Sequence, residues 1–141
     1  MLIEKVLCRA QVKATAGRDT RVVSSDGALD LKVSMPRELG GTNGRGTNPE
    51  QLFGAAYTSC FLGMLRLVAA REGIALPADA EIDASVAVGA TPRGYGIEVE
   101  LRISLPGLPR AEADVLVEKA HALCPYSSAT RNNVAVRTVF A

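Results

Sequence analysis

Cysteines are the residues of this chain best suited to chemistry, and there are three of them, at positions 8, 60 and 124. An odd count in a chain that we expect to occupy a reducing compartment argues against a disulfide scaffold and favours a reactive thiol. Cys8 alternates with Val6 and Ala10 on one face of a predicted strand, which indicates a buried structural thiol. Cys60 lies in the most apolar segment, where a small buried residue is the simpler interpretation.

Cys124 has a less ordinary position, because it ends a predicted helix directly before Pro125. The partial negative charge at a helix C-terminus disfavours a thiolate, so Cys124 is a poor primary nucleophile. It can still act as a resolving thiol, which only has to attack an oxidised partner. We therefore predict that, if the pair is reactive, Cys60 reacts first and Cys124 second.

A reactive Cys60 needs help to ionise, since a free thiol has a pKa of about 8.5. A guanidinium about 4 Å away contributes up to ~4 kcal/mol at an effective dielectric of about 20, which corresponds to a pKa lowered by as much as ~3 units. A carboxylate holding that arginine would cancel part of the effect. Composition alone does not choose among the arginines.

The elements that must position these thiols follow from the pattern of apolar residues. Period-2 alternation predicts strands, and helical spacing with suitable ends predicts helices. The resulting order is βββ-α-ββ-α-β, an α+β fold with two helices packed on a mainly antiparallel sheet, in a single domain over residues 1–141. The predicted strands cover residues 5–15, 20–25, 29–33, 81–88, 97–105 and 133–140, and the helices cover 49–72 and 110–123, with turns or loops at 16–19, 26–27, 36–48 and 91–96.

The central helix carries the clearest end signals. Asn48 can cap it, Pro49 suits its first position and Gln51 occupies the capping-box position, while Gly73 stops it. Apolar residues surround most of its circumference, so we expect a helix that is buried on most sides.

Bulk composition excludes several classes of function. The net charge of +1 and an aromatic content of 4% without Trp argue against nucleic-acid partners. The longest uncharged run, residues 51–65, is short of the roughly 20 that a membrane helix needs. Charged residues at positions 4, 5 and 9 interrupt the apolar stretch that a signal peptide would have. We therefore expect a cytoplasmic protein without a membrane partner. His121 and Cys124 lack further clustered ligands, so no metal is expected.

At this point four stretches decide the interpretation. The chain resembles the organic hydroperoxide resistance proteins, within the wider osmotically inducible protein C (OsmC-like) superfamily, and the matching stretches follow one another in order along most of the sequence. Ser128 and Asn132 depart from the family pattern, but Asn tolerates a left-handed backbone, so the turn at Asn132 should survive. The matching stretches are ATAGRD (14–19), ELGGTNGRGTNPEQLF (38–53), AAYTSCF (55–61) and CPYSSATRNNV (124–134).

The resemblance implies an enzyme, a cysteine-based peroxidase that reduces fatty-acid-type organic hydroperoxides. Cys60 would be the peroxidatic thiol and Cys124 the resolving thiol, joined in a disulfide after each turnover. Arg18 and Glu50 would be the charged pair that activates Cys60 and orients the peroxide. The reductant would be an external dithiol, such as lipoyl groups on a carrier protein, and no metal, haem or flavin is implied.

Two alternatives remain open on the residues alone. A redox sensor or ligand-binding module could use the same disulfide without turnover, and an α+β domain with inert thiols is the plainest interpretation.

Helix geometry also predicts an assembly. Glu50 and Cys60 are ten positions apart on one predicted helix, about 15 Å along its axis and about 80° around it. If both serve one site, Glu50 and Arg18 come from a second subunit. We therefore predict an intertwined homodimer with two sites at its interface.

Overall fold

The computed structural model describes residues 2–16 and 20–141. The chain divides into two compact units, Met1–Leu52 and Phe53–Ala141. Each unit contains its own three-stranded sheet. The predicted α+β class is confirmed, while the single domain over residues 1–141 stays a prediction.

The first unit is built on the antiparallel meander predicted from the alternation. The Asp26–Gly27 turn links its second and third strands, and Gly27 has a φ of 75°, which glycine adopts without strain. The following glycine-rich loop contains one short turn of 3-10 helix, Arg37–Leu39, and an isolated bridge between Val33 and Thr47. The strands, paired in the order β1-β2-β3, are β1 (Val12–Thr15), β2 (Thr20–Ser24) and β3 (Asp30–Val33).

The segment before β1 differs from its prediction. Its described residues, 2–11, contain no strand, and Cys8 is exposed, so the expectation of a buried structural thiol is wrong for this chain. Apolar side chains around it are exposed too, with Leu2 94% and Leu7 88% accessible. Alternation indicates which residues share a face, but that face is buried only if another surface covers it.

The central helix, α1 (Pro49–Glu72), has the predicted ends. The Asn48 Oδ1 accepts a hydrogen bond from the Gln51 backbone N–H at 2.8 Å. At the other end Gly73, with φ 66°, places the Ile74 N–H 2.9 Å from the Ala69 carbonyl. These are an N-cap and a Schellman-type stop, so both end signals are confirmed.

The expectation that α1 is buried on most sides is wrong for the chain as described. The second unit covers one stripe of the helix, while Ser59 and Leu67 are exposed. By length and apolar composition α1 could also cross a membrane, a test that core helices of folded domains pass as well. The buried residues of the stripe are Gly54, Tyr57, Phe61, Leu65, Val68 and Ala69.

The second unit packs helices on a mixed sheet of order β4-β5-β6. Strands β4 (Glu81–Thr91) and β5 (Gly94–Ser104) form an antiparallel hairpin across the two-residue turn Pro92–Arg93. The last strand, β6 (Ala135–Phe140), pairs with β5 in parallel. A parallel pair needs a crossover connection, which the helices between β5 and β6 provide.

Helix α2 (Arg110–Leu123) buries the face predicted from its spacing, Ala113, Leu116, Val117 and Ala120. It is followed by a helix that sequence patterns missed, α3 (Pro125–Thr130). Pro125 ends α2 as expected, but it also starts α3, because proline suits the first position of a helix. A single residue, Cys124, separates the two helices.

Candidate functional site

The structure places Cys60 and Cys124 side by side. Cys60 lies on the buried half of α1, and the Cys124 Sγ is 3.8 Å from the Cys60 Sγ. Cys124 is fully buried and Cys60 is half-buried. A disulfide has an S–S length of about 2.05 Å, so the sulfurs have to approach by roughly 2 Å to form one.

Cys124 owes its place to the junction of the two helices. Its backbone is extended, with φ −67° and ψ 122°, and its N–H donates to the Ala120 carbonyl as the last bond of α2. Its carbonyl accepts the Ser128 N–H, 3.0 Å away, as the first bond of α3. Cys124 therefore makes the last backbone bond of α2 and the first backbone bond of α3. These two bonds fix its backbone between the helices.

The described surroundings of Cys60 do not favour its thiolate. Burial raises the pKa of the Cys60 thiol, and the adjacent Cys124 sulfur raises it further, because two neighbouring thiolates repel each other. The backbone N–H of Tyr126, at the start of α3, lowers the pKa by hydrogen bonding to the Cys60 sulfur. The opposing effects leave the pKa raised, so activation requires a further cation.

An aromatic cluster lies beside the two thiols. The Tyr57 and Tyr126 rings stack at a centroid distance of 5.8 Å, and Phe53 contacts each of them edge-on at 6.2 Å. The cluster joins α1 to the first turn of α3. It provides apolar surface on the α3 side of the cysteine pair, whereas α1 by itself gave no indication of where that surface would lie.

A polar chain runs behind this cluster, and sequence reasoning missed it. The His121 Nδ1 lies 2.9 Å from Ser127 Oγ, and the His121 Nε2 lies 2.8 Å from Thr138 Oγ1. Ser127 Oγ is also 2.9 Å from the buried Tyr57 hydroxyl. The His121 imidazole is half-buried and packs on the Phe61 ring at 4.6 Å between centroids.

The predicted charged pair is Glu50 and Arg18, and the structure describes only Glu50. Glu50 lies in the first turn of α1, and its Oε2 is buried without a hydrogen-bond partner among the described residues. Arg18, within the predicted turn 16–19, lies outside the described residues. The cysteine pair is therefore brought together, while the predicted charged pair is described only at Glu50.

Metal ligands are not clustered in the part of the chain that the structure describes, residues 2–16 and 20–141. No group of three or more His, Cys, Asp or Glu side chains there could hold a metal ion. His121 uses both ring nitrogens on hydroxyl groups, which explains why the three-residue spacing from Cys124 forms no ligand pair.

Known proteins are similar to this chain in sequence and in fold. Residues 41–139 match the family model described as OsmC-like protein. The organic hydroperoxide resistance protein of Xanthomonas axonopodis pv. citri (strain 306) is 56% identical, over 98% of this chain and 97% of that protein. A second relative, OhrA of Bacillus subtilis (strain 168), is 39% identical over 92% of this chain and 93% of its own length.

Solved structures agree. A Legionella pneumophila organic hydroperoxide resistance protein is 44% identical and superposes with a TM-score of 0.89, over 97% of this chain and 99% of that one. OhrB of Bacillus subtilis is 40% identical with a TM-score of 0.84, covering 96% of this chain and all of its own. The chain belongs to the organic hydroperoxide resistance proteins of the OsmC-like family.

Proposed function

We propose that this protein is a thiol peroxidase that detoxifies organic hydroperoxides. The observation that carries the proposal is the 3.8 Å separation of two sulfurs, one half-buried and one fully buried, in a chain of this family. A peroxide can reach the half-buried Cys60 thiol. The buried Cys124 thiol is shielded from the peroxide but can attack the oxidised Cys60 sulfur next to it.

The chemistry balances with these two residues. The Cys60 thiolate attacks the outer oxygen of ROOH, the O–O bond breaks, and the released alkoxide takes a proton to leave as ROH. Cys60 is then a sulfenic acid. The Cys124 thiol attacks the Cys60 sulfur, so that the Cys60–Cys124 disulfide forms and water leaves. An external dithiol, such as a lipoyl group on a carrier protein, reduces the disulfide and is itself oxidised to a cyclic disulfide.

Activation of Cys60 belongs to Arg18 and Glu50 in this proposal. The raised pKa of the Cys60 thiol requires a nearby cation, and the buried, unpartnered Glu50 Oε2 requires a donor. A buried carboxylate oxygen is costly without such a donor. One guanidinium serves both needs, because it can donate to the carboxylate and still stabilise the thiolate electrostatically.

The same pair supports a homodimer. Since α1 is one continuous helix, ten residues of helical rise put Glu50 and Cys60 about 15 Å apart along its axis. We propose that the Glu50 and Arg18 of one subunit complete the cysteine pair of the other. The exposed apolar side chains of Leu2, Ile3 and Leu7 are consistent with a surface that a second copy covers.

The test is peroxide consumption by three proteins with cumene hydroperoxide and a dithiol. Wild type should consume many equivalents. Cys60→Ser should consume none, and Cys124→Ser should reduce one equivalent and then stall as a sulfenic acid or a mixed disulfide. Cys8→Ser is the matched control, because Cys8 is exposed and outside the pair, and it should keep full turnover.

Three outcomes would count against the proposal. Full turnover by Cys60→Ser would refute the assignment of the peroxidatic thiol. A wild-type protein that oxidises once and is not recycled by any dithiol would be a sensor. Mass spectrometry that finds no Cys60–Cys124 bridge after mild peroxide treatment would leave two inert thiols.

A further inference from the structure

His121 connects three elements around the cysteine pair, although it contacts neither sulfur in the described structure. Its ring nitrogens lie within hydrogen-bond distance of Ser127 on α3 and Thr138 on β6. Its ring packs on Phe61, which follows Cys60 on α1. A single side chain of α2 therefore contacts α1, α3 and β6.

The hydrogen bonds that link Tyr57, Ser127, His121 and Thr138 can all form when the His121 ring is neutral. Thr130 donates to the Tyr126 carbonyl, so the Tyr57 hydroxyl can donate to Ser127. Ser127 then donates to the His121 Nδ1, and the protonated Nε2 donates to Thr138. In this arrangement the hydroxyl hydrogens of Thr130, Tyr57 and Ser127 and the Nε2 hydrogen of His121 each find an acceptor, as buried polar groups require.

Ser127 connects His121 to the turn of α3 that follows Cys124. It is the third residue of α3, and Cys124 directly precedes that helix. The Tyr126 N–H that hydrogen-bonds the Cys60 sulfur belongs to the same turn. Because α3 is only six residues long, a contact at Ser127 fixes the orientation of its whole first turn.

Building on the proposed peroxidase function, we propose that His121 is a positioning residue for disulfide formation. The neutral ring clamps Ser127 of α3 to Thr138 of β6, and this clamp holds the Cys124 sulfur against Cys60 while the sulfenic acid waits to be resolved. The residue takes no part in the attack on the peroxide, which needs only Cys60 and its activating groups.

The surroundings of His121 favour the neutral form that the clamp needs. Burial lowers the pKa of His121 below its ordinary value of 6.5, and the positive charge of Arg131 lowers it further. The Arg131 guanidinium also donates to the His121 carbonyl at 2.9 Å. Tyr57, through Ser127, is the titratable group on the α1 side, and β6 presents the neutral Thr138.

Acid can still reach the ring. An open cleft of about 270 Å³ is lined by Tyr57, His121, Ser127 and Arg131, among others. Protonation turns the His121 Nδ1 from an acceptor into a donor, so the bond in which Ser127 donates to it is lost. It also puts a second positive charge beside Arg131. Both changes weaken the clamp on α3.

The experiment separates the two chemical steps in a single turnover without reductant. Rapid mixing with cumene hydroperoxide, followed by acid quench and alkylation, gives the rate of Cys60 oxidation and the rate of Cys60–Cys124 bond formation by mass spectrometry. The variants are His121→Leu, which removes both bonds, His121→Gln, which can keep one, and Thr138→Val, which removes the β6 end with little change of shape. Glu118→Gln, exposed on the same helix, is the matched control.

We expect Cys60 oxidation to stay within about twofold of wild type in all variants. Bond formation should slow about tenfold or more in His121→Leu, since a lost buried hydrogen bond costs about 1–3 kcal/mol and 1.36 kcal/mol is tenfold in rate. Thr138→Val should slow it less, and His121→Gln should restore most of the rate. Excess peroxide should then convert the waiting sulfenic acid of His121→Leu to sulfinic acid.

A pH profile distinguishes positioning from general packing. The profile of His121→Gln gives the pH dependence of bond formation that arises from groups other than His121. Wild type should fall more steeply than His121→Gln below pH 6.5, because His121 also takes up a proton there. Parallel profiles, or bond formation in folded His121→Leu and Thr138→Val as fast as in wild type, would overturn the clamp while leaving the peroxidase intact. A wild-type protein that never forms the bond would instead count against the peroxidase itself.

Discussion

Cys60 is accessible, but its thiol has a raised pKa. Its sulfur is half-buried, so a substrate can reach it, but the same partial burial raises the pKa of the thiol, and Cys124 raises it further. The Tyr126 N–H works in the opposite direction without reversing the shift. The chemistry of this residue therefore depends on a cation that the described residues do not supply.

Replacing Arg18 by alanine tests where that cation comes from. We expect the pKa of the Cys60 thiol to rise relative to wild type, because the variant removes the guanidinium that, in our proposal, stabilises the thiolate. The pH dependence of iodoacetamide alkylation at Cys60 measures it. Arg93→Ala, in the exposed β4–β5 turn, is the control. Equal alkylation profiles in all three proteins would remove Arg18 from the activating role.

The stability of the fold should carry a signature of His121. The unfolded chain takes up a proton at position 121 as the pH falls through about 6.5, whereas the folded chain does so only at lower pH, because its pKa is lowered. The unfolded state then binds more protons, so stability contributed by the neutral ring is present above pH 6.5 and is lost below it.

Urea unfolding of wild type and His121→Gln over this pH range measures that loss. The carboxylates titrate in both proteins, so the difference between the two free energies of unfolding isolates His121. We expect this difference to change in favour of His121→Gln as the pH falls below 6.5. A difference that stays constant with pH would show that the ring titrates alike in the folded and unfolded chains.

Two helix junctions determine the geometry at the scale of elements. Cys124 has extended backbone between α2 and α3, and Asn132, just beyond α3, has a φ of 61°. The expectation that Asn132 would keep a left-handed turn in place of Gly is therefore confirmed. Together these two residues let the chain fold a short helix between α2 and β6, which places the Cys124 sulfur beside α1.

Two glycines, Gly63 in the middle of α1 and Gly73 just past its C-terminal end, allow a paired test with the same substitution. Gly73→Ala should destabilise the protein by about 1 kcal/mol, because its φ of 66° strains any residue with a Cβ. Gly63→Ala lies mid-helix where an added Cβ meets no atom of the described chain within 4 Å, so it should stabilise by about 0.5–1 kcal/mol. Thermal unfolding at matched concentration reports both. A destabilised Gly63→Ala would indicate that another surface packs against this part of the helix.

At the scale of the whole molecule, complementation tests the shared site. Cys60→Ser and Arg18→Ala chains should each be inactive, but mixed under conditions that allow exchange they should recover part of the wild-type activity. A heterodimer has one intact site if Arg18 comes from the opposite subunit to Cys60. Exchange is verified by native mass spectrometry with isotope-labelled chains. No recovery despite complete exchange would put all four residues in one subunit.

Much of the fold was readable from local signals. The Asn48 cap, the Gly73 stop and the buried face of α2 depend on neighbours within a few positions, so the sequence pattern predicted them. The N-terminal strand was predicted too long, because alternation cannot tell whether a second surface is present. Helix α3 was missed because six residues starting at a proline give too little periodicity to separate a helix from a turn.

The sequence by itself determined the α+β class and the family, because these follow from the spacing of apolar residues and from the matching stretches. It also named Cys60 and Cys124 as the candidate reactive pair. Only the tertiary structure decided that the sulfurs of Cys60 and Cys124, sixty-four positions apart, lie 3.8 Å from each other. It alone showed that His121 joins α3 to β6 through two hydroxyl groups. Such contacts depend on how helices pack against a sheet, and residues distant in sequence carry no local pattern that records which of them will meet.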